Sequence, residues 1–126
     1  LGYNNVVPIK IDVNDIDALT ADLRGADVVI SAYNPGWTNP NIYNEFLQGS
    51  KNIQEAAKKA GIKRFIVIGG AGSLFLDEQT QVIDTPQFPD EIKPGATAAK
   101  EYLNFIINNK ENIFIFYSLG FNFAWR

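Results

Sequence analysis

The sequence predicts an α/β domain built on a parallel sheet, and three observations predict it. Short apolar runs alternate along the chain with segments of helical periodicity, the pattern of strands joined by helical crossovers. Three of the runs are continuous rather than alternating: VVIS at 28–31, FIVI at 65–68 and IFIFY at 113–117. Continuous β-branched and aromatic runs suit strands covered on both faces, as in a parallel sheet. The chain has 126 residues, the size of one domain, and a chain of this length can bury roughly two-thirds of its unfolded surface.

The elements follow in order. The first run, VVPIKIDV at 6–13, differs from the others because it contains Pro8 and Lys10. Proline cannot donate to a ladder, so this run is expected as an edge strand. Residues 15–24 carry Ile16, Leu19 and Leu23 at helical spacing, with Asn14 as the expected cap and Gly25 as the stop. After the strand at 28–31, a second helix is expected from Asn39-Pro40, a cap residue followed by proline at the first helical position. Ile42, Phe46, Ile53, Ala57 and Ala60 recur at helical intervals until Gly61. The third strand is 65–68. A long irregular stretch, 72–94, precedes a third helix after Pro94-Gly95, with Ala99, Leu103 and Ile106 on one stripe and Asn108-Asn109 closing it. A stretch of that length without regular structure is usually functional or mobile. The strand at 113–117 comes last.

Composition excludes several chemistries. There is no histidine, cysteine or methionine. Disulfides, thiolate nucleophiles, Cys-type zinc sites, imidazole bases and Ser-His-Asp triads are therefore absent. The net charge of −3 and the scattered basic residues argue against a nucleic-acid partner, which calls for a basic face. The densest basic group, Lys58, Lys59, Lys63 and Arg64, reads as the end of the second helix and the loop after it, where cations suit the helix dipole. The longest nearly apolar run, 65–76, holds three glycines and a serine and is too short to span a membrane. No signal segment opens the sequence. A cytoplasmic location is the expectation, with a small-molecule substrate, no membrane partner, and a homo-oligomer as a candidate assembly. Residue 1 is Leu, which leads to the expectation that 126 residues are part of a longer chain.

In an open α/β sheet, ligands bind at the carboxyl ends of the strands. After the first run come Asp12 and Val13. After the second comes SAYNPGW, residues 31–37. GGAGS, 69–73, follows the third and SLG, 118–120, the fourth. GGAGS permits close backbone approach by a ligand, yet equally suits a tight turn leaving a buried strand. It is neither a G-x-G-x-x-G fingerprint nor a P-loop. Ser73 has no histidine to activate it and would act as a hydrogen-bond donor. Asp12 could accept from an adenine amino group or serve as a cap for the helix beginning at 15. Tyr33 and Trp37 could stack on a ring or simply pack. Lys100 could reach a phosphate or ribose hydroxyl, or stand solvated on its helix. The carboxylates of the 77–91 segment show no metal or paired-acid spacing and read as solvated.

Together, DV at 12–13, VVISAYNPG at 28–36, KRFIVIGGAGSL at 63–74 and PGATAAKEYLNF at 94–105 resemble the atypical short-chain dehydrogenase/reductases. The chain is most similar to their NAD(P)H-binding group, NmrA-like in the broad sense, whose members carry names such as NADH-flavin reductase and NAD-dependent epimerase-like protein. The resemblance covers roughly residues 6–118. It implies a Rossmann-like three-layer fold, present in part, with residues 1–126 as a single partial NAD(P)-binding domain. It also implies residue roles. Asp12 and Val13 would face the adenine. Ser31, Ala32 and Tyr33 would line the adenosine ribose and pyrophosphate. Gly69, Gly70 and Ser73 would sit beside the nicotinamide, Ser73 near the family's active-site serine. Lys100 falls near the lysine of the family's Tyr-x-x-x-Lys motif and would hold the nicotinamide ribose. Ser73 and Lys100 are thus the candidate catalytic residues.

Three departures accompany the resemblance. The tyrosine position four before Lys100 is Ala96. The family's opening β-α-β unit, with its glycine-rich phosphate loop, has no counterpart here, so VVPIKIDV would be the third strand of the order 3-2-1-4-5-6, at an edge. The family's Ser-Pro-Ala-like turn after the last strand is replaced by SLGFNFAWR. The implied function is an NAD- or NADP-dependent reductase transferring hydride to a small acceptor such as a flavin. The alternatives are a non-catalytic NAD(P)-binding redox sensor, supported by Ala96, and an inactive fragment of such a protein.

Overall fold

The computed structural model describes residues 4–109 and 114–119. In chain order its elements are helix α1 (Ile16–Leu23), strand β1 (Val29–Ser31), helix α2 (Ile42–Lys59), strand β2 (Phe65–Gly70), helix α3 (Lys93–Asn108) and strand β3 (Phe114–Leu119). The three strands form one sheet in the order β1-β2-β3, and both pairings are parallel. The α/β class and the parallel sheet follow the sequence expectation.

VVPIKIDV corrects it. Residues 6–13 form no strand. Most of their apolar side chains stay in solvent, with Val6 45%, Val7 77% and Ile9 57% exposed, while Ile11 and Val13 are half-buried. A ladder needs a neighbour, and among the described residues no strand lies beside this segment. Its proline further removes a donor. Ile113 of the last expected strand lies outside the described residues.

The expectation of strands covered on both faces is also corrected. Val29, Phe65 and Val67 point into the core, whereas Ile30 is 65% exposed and Ile66 and Ile68 are half-buried. Side chains alternate across a strand, so one face carries the core and the other is open among the described residues. On the covered face, Phe46, Ile53 and Ala57 of α2 meet Ala98, Ala99, Tyr102 and Ile106 of α3 above Phe65 and Val67. The small residues of α3 let it approach closely. Tyr102 is 1% exposed, and its hydroxyl donates to Gln54 Oε1 at 2.8 Å. Burial pushes its phenol well above the ordinary value of 10.0. On the outer side of α2, Leu19 and Leu23 of α1 pack against the same core.

The caps differ from expectation by one or two residues. Asp15, not Asn14, caps α1, its Oδ1 accepting from Ala18 N at 3.0 Å. Asp12 is no cap either, because its side chain closes a turn onto Asn14. In the same way, Asn39 Oδ1 accepts from Asn41 N at 2.9 Å, so a turn precedes the helix and α2 starts only at Ile42. Such local bonds from Asn and Asp compete with helix entry. Gly25 and Gly61 end α1 and α2 at φ +85° and +75°, the left-handed conformation that glycine adopts without cost. Pro94 falls inside the first turn of α3, where its missing N–H is harmless.

The 72–94 stretch is more ordered than its sequence suggests. Short 3₁₀ turns at Ala71–Ser73, Val82–Asp84 and Asp90–Ile92 punctuate it. Ile83 and Phe88 pack with Ala96 of α3 into a small second core. Asp77 Oδ1 accepts from the backbone N–H groups of Gln79 and Thr80, both at 2.8 Å, which lowers its pKa.

Candidate nucleotide-binding cleft

A cleft of about 300 Å³ opens where β1 and β2 end, beside the first turns of α3. Its floor is Ile68, Gly69, Gly70 and Gly72. Ala32, Tyr33, Asn34 and Trp37 wall it on the β1 side, with Phe46 of α2, and Gly95, Ala96 and Ala99 of α3 close the far side. Gly69 and Gly70 are not themselves part of a turn, which begins only at Ala71. They extend β2, pairing with Ser118 and Leu119, and none of the three floor glycines has a positive φ. Their contribution to the cleft is the side chain they lack.

Both aromatic walls are seated on helix glycines. A Cβ on Gly49 would fall 2.4 Å from the Tyr33 ring, and one on Gly95 would fall 2.9 Å from the Trp37 ring and 2.8 Å from Ile42 Cδ1. The Tyr33 hydroxyl donates to Glu45 O at 3.4 Å, and its ring lies 6.3 Å from that of Phe46. Burial first, then the carboxylates of Glu45 and Asp12, raise the Tyr33 pKa. A turn locked by Asn34 Oδ1, which accepts from Gly36 N at 2.7 Å, carries the chain from Tyr33 to Trp37. Sequence periodicity could not reveal Gly49 or Gly95 as site residues, because their partners lie on another element.

A second, polar groove of about 640 Å³ lies on the other side of Tyr33. Asn14, Asn41, Asn44 and Gln48 line it with Glu45 and Lys51. Tyr33 therefore divides an apolar cleft from an amide-rich groove. Asp12 is at the surface beside Asn14, and Val13 packs half-buried against the core.

Of the sequence candidates, the cleft unites Ala32, Tyr33, Gly69 and Gly70. Ser31 is the last residue of β1, immediately below it. Ser73 and Lys100 do not line it. Ser73 is buried, its hydroxyl donating to Gly70 O at 3.2 Å while its own carbonyl accepts from Gln81 Nε2 at 2.9 Å. Lys100 Nζ stands 3.5 Å from Asp84 Oδ2 at the surface. Ala96, the position where the resemblance expects a phenol, faces the cleft directly. Among the described residues there is no group of acidic side chains fit for a metal ion, and no helix is long and apolar enough to cross a membrane.

The arrangement suits a nicotinamide nucleotide. Its volume lies at the lower end for small-ligand pockets, enough for a flat ring and a sugar. Aromatic walls and a floor without side chains at its glycines suit the flat faces of a carboxamide ring. No charged side chain lines the cleft, whereas Lys51 lines the groove beyond Tyr33.

A parallel sheet with a cleft at its carboxyl edge defines the class of open α/β folds that take ligands at that edge. Within that class, residues 2–111 match the profile of the NAD(P)H-binding family, and the chain belongs to that family. It is 36% identical over 92 residues to YwnB of Bacillus subtilis, covering 71% of this chain and 42% of that protein. Among solved structures, it is similar to a "putative epimerase" from Bacteroides thetaiotaomicron (TM-score 0.75, 41% identity, 85% of this chain and 47% of that one). A "putative exported protein" from Burkholderia pseudomallei matches at TM-score 0.72 and 33% identity, over 85% of this chain and 50% of that one. A "putative NADH-flavin reductase" from Streptococcus pneumoniae matches at 0.67 and 34%, over 94% and 55%. The chain spans about half the length of these relatives.

Proposed function

We propose that the chain acts as a single Rossmann-like unit that binds NADH or NADPH and serves reduction of a small acceptor such as a flavin. The observation that carries this reading is the glycine-floored, aromatic-walled cleft at the carboxyl ends of parallel strands. In this reading the nicotinamide half occupies the cleft, and the adenosine half crosses Tyr33 into the amide-rich groove. Bound there, the cofactor supplies the hydride, while the protein contributes placement and electrostatics.

Gly69 and Gly70 admit the ring against the strand backbone, Ser31 and Ala32 line the sugar and pyrophosphate side, and Tyr33 and Trp37 exclude water from its faces. Asp12 and Val13 would face the adenine, the Asp12 carboxylate accepting a hydrogen bond from its amino group. Lys100 exchanges Asp84 for the ribose hydroxyls, an inexpensive exchange because exposed ion pairs are worth little. Ser73 turns its hydroxyl from Gly70 O to the carboxamide or the acceptor. Calorimetric titration of the full-length protein with NADH and NADPH tests the reading: saturable binding is expected, and no binding of either at millimolar concentration overturns it.

One observation favours a second reading. Ala96 gives the cleft no proton donor where the resemblance expects a tyrosine. A sensor that binds NAD(P)H without turnover fits that wall as well. Assays with flavins and quinones separate the two, since NADH or NADPH oxidation identifies the reductase and binding without oxidation the sensor.

A further inference from the structure

A chain of side-chain hydrogen bonds runs from α2 to the turn at 12–14. Asn52, 8% exposed in the middle of α2, accepts from Gln48 Nε2 at 2.8 Å and donates through Nδ2 to Asn14 Oδ1 at 3.1 Å. Asn14 in turn donates twice to one oxygen, Asp12 Oδ1, from its backbone N at 2.9 Å and its Nδ2 at 3.1 Å. The Asn52–Asn14 bond joins residues 38 positions apart, and it alone among these bonds leaves its own element.

We propose that Asn52 is a positioning residue for adenine recognition, setting the Asp12 carboxylate through Asn14. The inference rests on the cofactor reading above. An amide is the side chain that offers an acceptor to Gln48 and a donor to Asn14 at once. A buried amide is held in place by its partners, because leaving either atom unpaired costs free energy. Asn52 therefore gives a fixed reference in the core to a turn that is itself exposed. Both Asn14 donors fall on Oδ1, which fixes the rotation of the carboxylate and leaves Oδ2 as the acceptor for an exocyclic amino group. Without Asn52, the carboxylate keeps its charge but loses its aim.

The test uses the full-length protein, with ADP-ribose carrying the adenine half and reduced nicotinamide mononucleotide carrying the other. Asn52→Leu is expected to weaken ADP-ribose about tenfold, the equivalent of one hydrogen bond's net contribution, and to leave the mononucleotide unchanged. In an Asp12→Ala background the same substitution is expected to have no further effect on ADP-ribose, because the group it positions is gone. Should Asn52→Leu fail to fold, Asn14→Ala breaks the same path at an exposed link and takes its place in the cycle. Equal weakening of both ligands, or effects of Asn52→Leu and Asp12→Ala that simply add, would assign Asn52 to general stability and overturn the proposal. Wild-type protein that binds neither ligand overturns the cofactor reading and this inference with it. Wild-type binding unaffected in the variants overturns this inference alone.

Discussion

The two aromatic walls of the cleft are built by one device with different tolerances. Tyr33 lies over Gly49, in the middle of α2, and is half-buried with Phe46 behind it. Trp37 lies over Gly95, in the first turn of α3, and is 53% exposed. In both cases a missing Cβ makes room for a ring from a β1 turn. On the α2 side the ring is half-buried, backed by Phe46 and tied by its hydroxyl to Glu45 O. On the α3 side the indole has solvent to move into, and the other close atom is the flexible tip of Ile42. The comparison teaches that one wall is a fixed partition between cleft and groove, and the other is an adjustable flap.

The largest test of that contrast is Gly49→Ala. Its Cβ would fall against the Tyr33 ring, which must shift to make room, and overpacking of this kind costs about 1–3 kcal/mol. The gain in helix propensity, roughly 1 kcal/mol, offsets part of it. A net loss in denaturant melts is expected, and it should shrink when Tyr33→Ala is added. A melt indistinguishable from wild type would show that the partition is not fixed.

Gly95→Ala should do less. The indole swings outward, the helix gains propensity, and the stability change is expected to stay within about 1 kcal/mol. The readout is fluorescence: Trp37 emission, isolated by difference from Trp37→Phe, should shift to the red. A larger loss than Gly49→Ala would reverse the ranking.

The smallest effect separates the walls by pH, because one ring titrates and the other does not. The Tyr33 pKa is raised in the fold by burial and by Glu45 and Asp12. The folded state thus holds the phenol's proton more tightly than the unfolded chain. The resulting stability is complete below the ordinary value of 10.0 and is lost as pH climbs through the raised one. Tyr33→Phe should slightly flatten the decline in stability above that pH, whereas Trp37→Phe should leave it unchanged.

Periodicity made much of this fold legible. The apolar spacing of Ile42, Phe46, Ile53 and Ala57 located α2, and FIVI located β2, because both are consequences of one repeating geometry. VVPIKIDV misled because a strand is a relation between two segments, and apolar content says nothing of whether the neighbour is there. Ile83 and Phe88 were hidden for a different reason: 3₁₀ turns have no sustained period to read. Ala32, Tyr33, Gly69 and Gly70 stand out in the sequence as strand-end residues, and they line the cleft because strand ends form the carboxyl edge of the sheet. Gly49, Gly95 and Asn52 do not stand out in the sequence, since each contacts a partner distant along the chain. Lys100 shows the converse, a residue singled out by motif whose contact in the structure, Asp84, no motif foretold.

The ladder between β1 and β2 stops at Ser31, and everything that walls the cleft on that side, from Ala32 to Trp37, comes after the last paired residue. The floor is different: Gly69 and Gly70 are themselves ladder residues. The wall can therefore be rewritten by substitution, or by lengthening the turn, with no sheet hydrogen bond at stake. The floor cannot. The six residues of this wall are an exchangeable part mounted on a permanent base.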